Sequence, residues 1–71
     1  KMNKGMLMSV MCLNGDTQCR LAEALGISRT TLSAKINCRA SFTQPEMLAI
    51  KKRYCLTADE IEHIFFEEDV S

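Results

Sequence analysis

The residues best placed to do chemistry lie between Gln18 and Asn37, where the chain reads Gln-Cys-Arg-Leu-Ala-Glu-Ala-Leu-Gly-Ile-Ser-Arg-Thr-Thr-Leu-Ser-Ala-Lys-Ile-Asn. At helical spacing, Leu21, Leu25, Leu32 and Ile36 fall on inward faces, with Ile27 between them. That leaves Arg29, Thr30, Ser33, Ala34 and Asn37 together on the outer face of the second half. A guanidinium, two hydroxyls, a carboxamide and a flat alanine form a surface suited to hydrogen bonding. Taken singly, Thr30 and Ser33 are ordinary solvated residues; their place in this stretch singles them out.

Catalysis has no comparable footing. The chain shows no paired base and nucleophile, no glycine-rich phosphate loop and no metal constellation, so no enzyme activity, cofactor or small-molecule substrate is expected. Four Cys stand at positions 12, 19, 38 and 55 without a C-x-x-C pair, and His63 is the only His. Zinc is therefore weakly supported. A disulfide framework is possible by count, but free thiols in a reduced cytosolic protein are expected. His63 reads as an exposed helix residue, and the five Met read as core filler.

With 71 residues, the chain has room for one domain, 1–71, and its small core favours a helical bundle or a dimer. Its formal net charge is zero, yet the charges are segregated. Residues 1–56 hold all nine Lys and Arg against Asp16, Glu23 and Glu46, whereas residues 57–71 hold six acids and no Lys or Arg. Such a dipole presents a basic face to phosphate with an acidic end pointing away, although a solvated acidic tail explains the end equally well. The apolar run Met6–Leu13 is loosely like a signal segment. It is far too short to span a membrane and suits a first helix stopping at Asn14-Gly15.

Five helices and no strand position these residues. Helix 1 runs from about Lys4 to Leu13 and is apolar nearly all round, so part of it is free to meet something beyond its own core. Thr17 caps helix 2, which ends at Leu25. Gly26 makes the sharp turn, and Ser28 caps helix 3, which runs to about Asn37. Thr43-x-x-Glu46 and Thr57-x-x-Glu60 are capping boxes that open helices 4 and 5. Pro45 is tolerated in the first turn of helix 4, and Lys51-Lys52-Arg53 at its end suits the helix dipole, with a DNA or partner contact as the alternative. Met47, Ile50 and Tyr54 form the stripe of helix 4, and Ile61, Ile64 and Phe65 that of helix 5. Two helices separated by so short a turn, with Ala22 small where they approach, meet the demands of a helix-turn-helix.

The stretch resembles the helix-turn-helix of the lambda-repressor/Cro family, often called the XRE type. The Thr-Gln opening, the Leu-Ala pair, Leu-Gly-Ile-Ser and the following Leu-Ser carry the likeness over about twenty residues, and the five-helix layout extends it over most of the chain. Two positions depart from the pattern. Cys38 stands where the family usually has Gly, which costs stability if φ is positive. Lys35 stands where many members are apolar; its stem is expected to pack while its ammonium reaches toward phosphate.

The resemblance implies a compact all-α, lambda-repressor-like domain that binds double-stranded DNA, with helix 3 in the major groove. Arg29, Thr30, Ser33 and Ala34 would face base edges, Arg29 being suited to guanine. Gln18 would hold a phosphate and brace the start of helix 3. Lys35, Asn37, Arg39, Ser41 and Thr43 would contact the backbone around the loop and the start of helix 4, where helix amides favour anions. The expectation is a sequence-specific transcriptional regulator of phage or prophage type. It would be cytoplasmic in a bacterial host and bind an operator as a homodimer. An antitoxin-like protein-interaction module is the alternative. For the dimer, Phe66 lies about 100° round helix 5 from Phe65 and has no obvious place in the monomer core. Glu67, Glu68 and Asp69 would then pair with Lys51, Lys52 or Arg53 across the two-fold axis.

Overall fold

Each helix starts at a short polar side chain that accepts a hydrogen bond from the amide three residues on. A computed structural model describes residues 2–66 and contains α1 (Lys4–Leu13), α2 (Gln18–Leu25), α3 (Arg29–Ile36), α4 (Gln44–Arg53) and α5 (Ala58–Phe65). The caps are Asn3, Thr17, Ser28, Thr43 and Thr57, each in extended backbone geometry. Such a cap stabilises a helix by about 1 kcal/mol. Both anticipated capping boxes form, with the Glu46 and Glu60 side chains reaching back to the Thr43 and Thr57 amides. No strand occurs among the described residues.

The first four helices end alike. A residue with positive φ follows the last turn: Gly15 at 62°, Gly26 at 73°, Cys38 at 62° and Cys55 at 54°. In each case the next amide closes back onto the helix, from Asp16 to Met11, Ile27 to Ala22, Arg39 to Ala34 and Leu56 to Lys51. This is the Schellman pattern, which consumes carbonyls the helix cannot pair itself. Cys38 therefore occupies the left-handed conformation that made its residue type costly in the sequence, and Cys55 repeats the situation after α4.

The ends bring the helices back onto one core. It contains Leu7 and Met11 of α1, Leu21 and Ala22 of α2, Leu32 and Ile36 of α3, Ile50 of α4, and Ile64 and Phe65 of α5. Tyr54, at the end of α4, is buried as well. Two loop residues complete the core, Phe42 before α4 and Leu56 before α5. Phe42 meets Phe65 edge to face at 5.2 Å between ring centroids. Leu25, Ile27, Met47 and Ile61, expected inside, are half-buried at the margin of the core. The Asn3 amide donates to the Ile64 carbonyl, joining the start of the described chain to α5. Among the described residues no helix is long and apolar enough to cross a membrane.

Candidate nucleic-acid interface

Helices α2 and α3 pack against one another, joined by Gly26, Ile27 and Ser28 alone. Gly26 takes its positive φ at the turn, and the Ser28 hydroxyl accepts the Thr31 amide to start α3. Leu32 and Ile36 anchor one face of α3 in the core. The opposite face begins at the first residue of the helix, where Arg29 and Thr30 are exposed. Ser33 and Ala34 are half-buried, and Asn37, the C-cap, is exposed. These five residues therefore trace a surface open at both ends of the helix and closer to the protein body at Ser33 and Ala34.

Asn37 is held in place. Its Nδ2 donates to the Ser33 carbonyl at 2.9 Å and to Ser33 Oγ at 3.3 Å, while its Oδ1 accepts from Lys4 Nζ at 2.7 Å. Ser33 acts as acceptor in this contact, so its hydroxyl proton is free to point elsewhere. The position of Lys4 beside α3 depends on how α1 crosses the bundle, which local spacing does not reveal.

The backbone-contacting set expected from the resemblance divides in two. Gln18 opens α2 and is half-buried, and Arg39 and Ser41 are exposed in the loop after α3. Lys35 corrects the expectation. Its residue is buried, and its ammonium is paired with Glu46 Oε1 instead of reaching outward. The ammonium also lies 5.9 Å from the centre of the Phe42 ring. The same Glu46 oxygen accepts the Thr43 amide at 2.9 Å, and the Thr43 hydroxyl accepts the Glu46 amide at 3.3 Å. At the start of α4 the protein's own carboxylate thus sits where an external anion was expected. Pro45 has no amide to offer, so the box leaves this helix start a poor anion site. Burial tends to raise the Glu46 pKa. The bonds from Lys35 and Thr43 outweigh it and hold the carboxyl below its usual value.

A second clasp holds the other end of α4. Arg53 donates from Nε to Asp16 Oδ2 at 2.7 Å and from Nη2 to Oδ1 at 3.1 Å. The Tyr54 hydroxyl donates to Oδ2 at 2.6 Å, and the Thr17 amide to Oδ1 at 3.0 Å. With four donors around it, Asp16 is held well below the usual carboxylate range, chiefly by Arg53 and against the opposing effect of burial. Burial and the neighbouring Asp16 push the Tyr54 hydroxyl up. Asp16 precedes the cap of α2, so this clasp fixes where α2 starts. Arg53 is engaged here and does not stand ready to pair across a dimer axis.

The four thiols are free and exposed, and no cluster of metal-ligating side chains occurs among the described residues. No protein-family model, curated protein or solved structure matches the chain.

Proposed function

We propose that the protein is a sequence-specific double-stranded-DNA-binding regulator that lays α3 in the major groove. The observation that carries this reading is the division of labour within α3. Leu32 and Ile36 are committed to the core while Arg29 and Thr30 stand exposed at the helix start, next to a three-residue turn. Arg29 reads a guanine through its fork of donors, and the Thr30 methyl packs on a thymine methyl. Ser33 and Ala34, nearer the protein body, border the reading surface. Gln18, Arg39 and Ser41 contact phosphates that set the register, while Asn37, whose side-chain amide is engaged with Ser33 and Lys4, borders them. Lys35 belongs to the internal Glu46 network and leaves the contacting set. Thr43 is exposed, and its hydroxyl, which accepts the Glu46 amide, keeps its proton for a phosphate oxygen. The protein represses by occupying an operator in the bacterial cytoplasm.

A homodimer fits this role, because linking two readers raises affinity without new base contacts. Phe66 is 51% exposed at the end of α5 and supplies apolar surface for it. Glu67, Glu68 and Asp69, which would pair across the axis, lie outside the described residues. The second reading, a module that binds another protein, is favoured by Leu13 and Leu48, which are 86% and 54% exposed. Salt separates the two. DNA binding through several phosphates falls steeply with ionic strength, by a log–log slope of about −0.9 per phosphate neutralised. Duplex binding that is absent, or indifferent to salt, removes the DNA reading.

A further inference from the structure

We propose that Lys4, at the first position of α1, is a DNA-phosphate ligand, and that Asn37 is the residue that positions it. The inference rests on the reading of α3 as the DNA-contacting helix and extends the contact surface to α1. Lys4 is exposed, and its Nζ is bonded to Asn37 Oδ1, 33 residues away in sequence. Asn37 is itself tied to Ser33 through its Nδ2, so a continuous line of bonds joins α1 to the outer side of α3.

The chemistry of the pair favours an anion beyond it. The two ion pairs of the described residues use Lys35 and Arg53, each against a carboxylate. Lys4 is bonded instead to a neutral amide oxygen, which orients the ammonium without cancelling its charge. An ammonium has three donors and Asn37 takes one, leaving two for phosphate oxygens. The site lies at the C-terminal end of α3, whereas Arg29 lies at the start. Eight residues of helix span about 12 Å, so Lys4 and Arg29 address well-separated parts of a duplex. A cation near a helix C-terminus is also favoured by the helix dipole. That effect acts on folding alone, and binding measurements distinguish it.

The test measures binding of a short random-sequence DNA duplex across a series of salt concentrations for the wild type, Lys4→Gln, Lys4→Arg, Asn37→Ala, the Lys4→Gln/Asn37→Ala double variant and Arg39→Ala. Circular dichroism melts accompany each variant. The expected result is that Lys4→Gln reduces the magnitude of the log–log salt slope by about 0.9, the amount for one phosphate. Lys4→Arg should retain the slope, and the effect of Lys4→Gln should shrink in the Asn37→Ala background. If Arg39→Ala lowers the slope while Lys4→Gln leaves it unchanged, the Lys4 assignment is overturned and the reading of α3 stands. If the effects of Lys4→Gln and Asn37→Ala are independent, the positioning role of Asn37 is overturned. If the wild type shows no salt-dependent duplex binding, both the assignment and the reading beneath it fall.

Discussion

Asp16 and Arg53, 37 positions apart, form a two-pronged ion pair that joins the turn before α2 to the last turn of α4. The Asp16 side chain is only 5% exposed, and Tyr54 closes the third side of the carboxylate. This clasp and the Lys35–Glu46 pair engage the two ends of α4. Helix α4 therefore braces the α2–α3 unit from behind, and its polar contacts set where the proposed reading face points.

The clasps make stability depend on pH at both extremes. Asp16 and Glu46 titrate below their unfolded values in the folded protein. Their contribution is complete above the unfolded carboxyl pKa of about 4. It is lost as pH falls further, because the unfolded chain then binds more protons. Tyr54 has the opposite sign: its folded pKa is raised, so its contribution is present below about pH 10 and is lost as pH rises beyond it. The urea midpoint should be level between these limits and decline on both sides. Asp16→Asn should destabilise by about 1–2 kcal/mol at neutral pH and flatten the acid limb. An acid limb of the same depth in Asp16→Asn would show that the clasp contributes nothing.

Lys35 separates a structural cation from a DNA-contacting one. Because Glu46 holds its ammonium, Lys35→Met should lower stability by about 1–3 kcal/mol, the cost of leaving a largely buried charged acceptor short of a donor. Its salt slope for duplex DNA should equal that of the wild type. Arg39→Ala should do the reverse, keeping stability and reducing the slope at specific and non-specific sites alike. A reduced slope in Lys35→Met would return Lys35 to the phosphate set.

Cys38 and Cys55 hold positive φ at positions where Gly15 and Gly26 serve the earlier helices. A side chain in that conformation costs about 1–2 kcal/mol, partly offset by the greater freedom of glycine in the unfolded chain. Both thiols are exposed, so removing them gives up little packing. Cys38→Gly and Cys55→Gly should each raise stability by about 0.5–1 kcal/mol, measured by urea denaturation. Two neutral substitutions would mean that other contacts relieve the strain.

How much of this was legible depended on the range of the interaction. Four of the five N-caps, both capping boxes and the stop at Gly26 are local signals, and the helix spans follow them closely. Cys38 is legible as a departure from a glycine position, but Cys55 is not, because the basic run Lys51-Lys52-Arg53 marks the end of α4 without marking a left-handed residue after it. Phe42 and Leu56 sit in loops, where helical periodicity says nothing about burial. The destination of Lys35 was legible only in part. Its stem packs as the apolar environment requires, yet the partner of its ammonium comes from the capping box of another helix. The meeting of Lys4 with Asn37 is illegible in the sequence for the same reason, since it exists only after α1 crosses the bundle.

Phe66 gives the proposed dimer a direct test. It lines a groove of about 370 Å³ together with Met2, Phe42, Met47 and Phe65. A second copy would cover this surface. Sedimentation should give a dimer for the wild type and a monomer, or a weakened dimer, for Phe66→Ser. An unchanged mass in both would place any interface elsewhere, with the exposed side of α1 around Met8 and Leu13 the next candidate.

The claim on which the rest depends is that α3 reads base edges, and selection of bound sequences from a random DNA library measures it most directly. The wild type should enrich one sequence with two-fold symmetric halves about one helical turn apart. Arg29→Ala should enrich the same sequence with preference relaxed at one base pair in each half, and should bind the original site about 1–3 kcal/mol more weakly. A library from which the wild type enriches nothing, or an Arg29→Ala variant that weakens every sequence alike, would contradict the account.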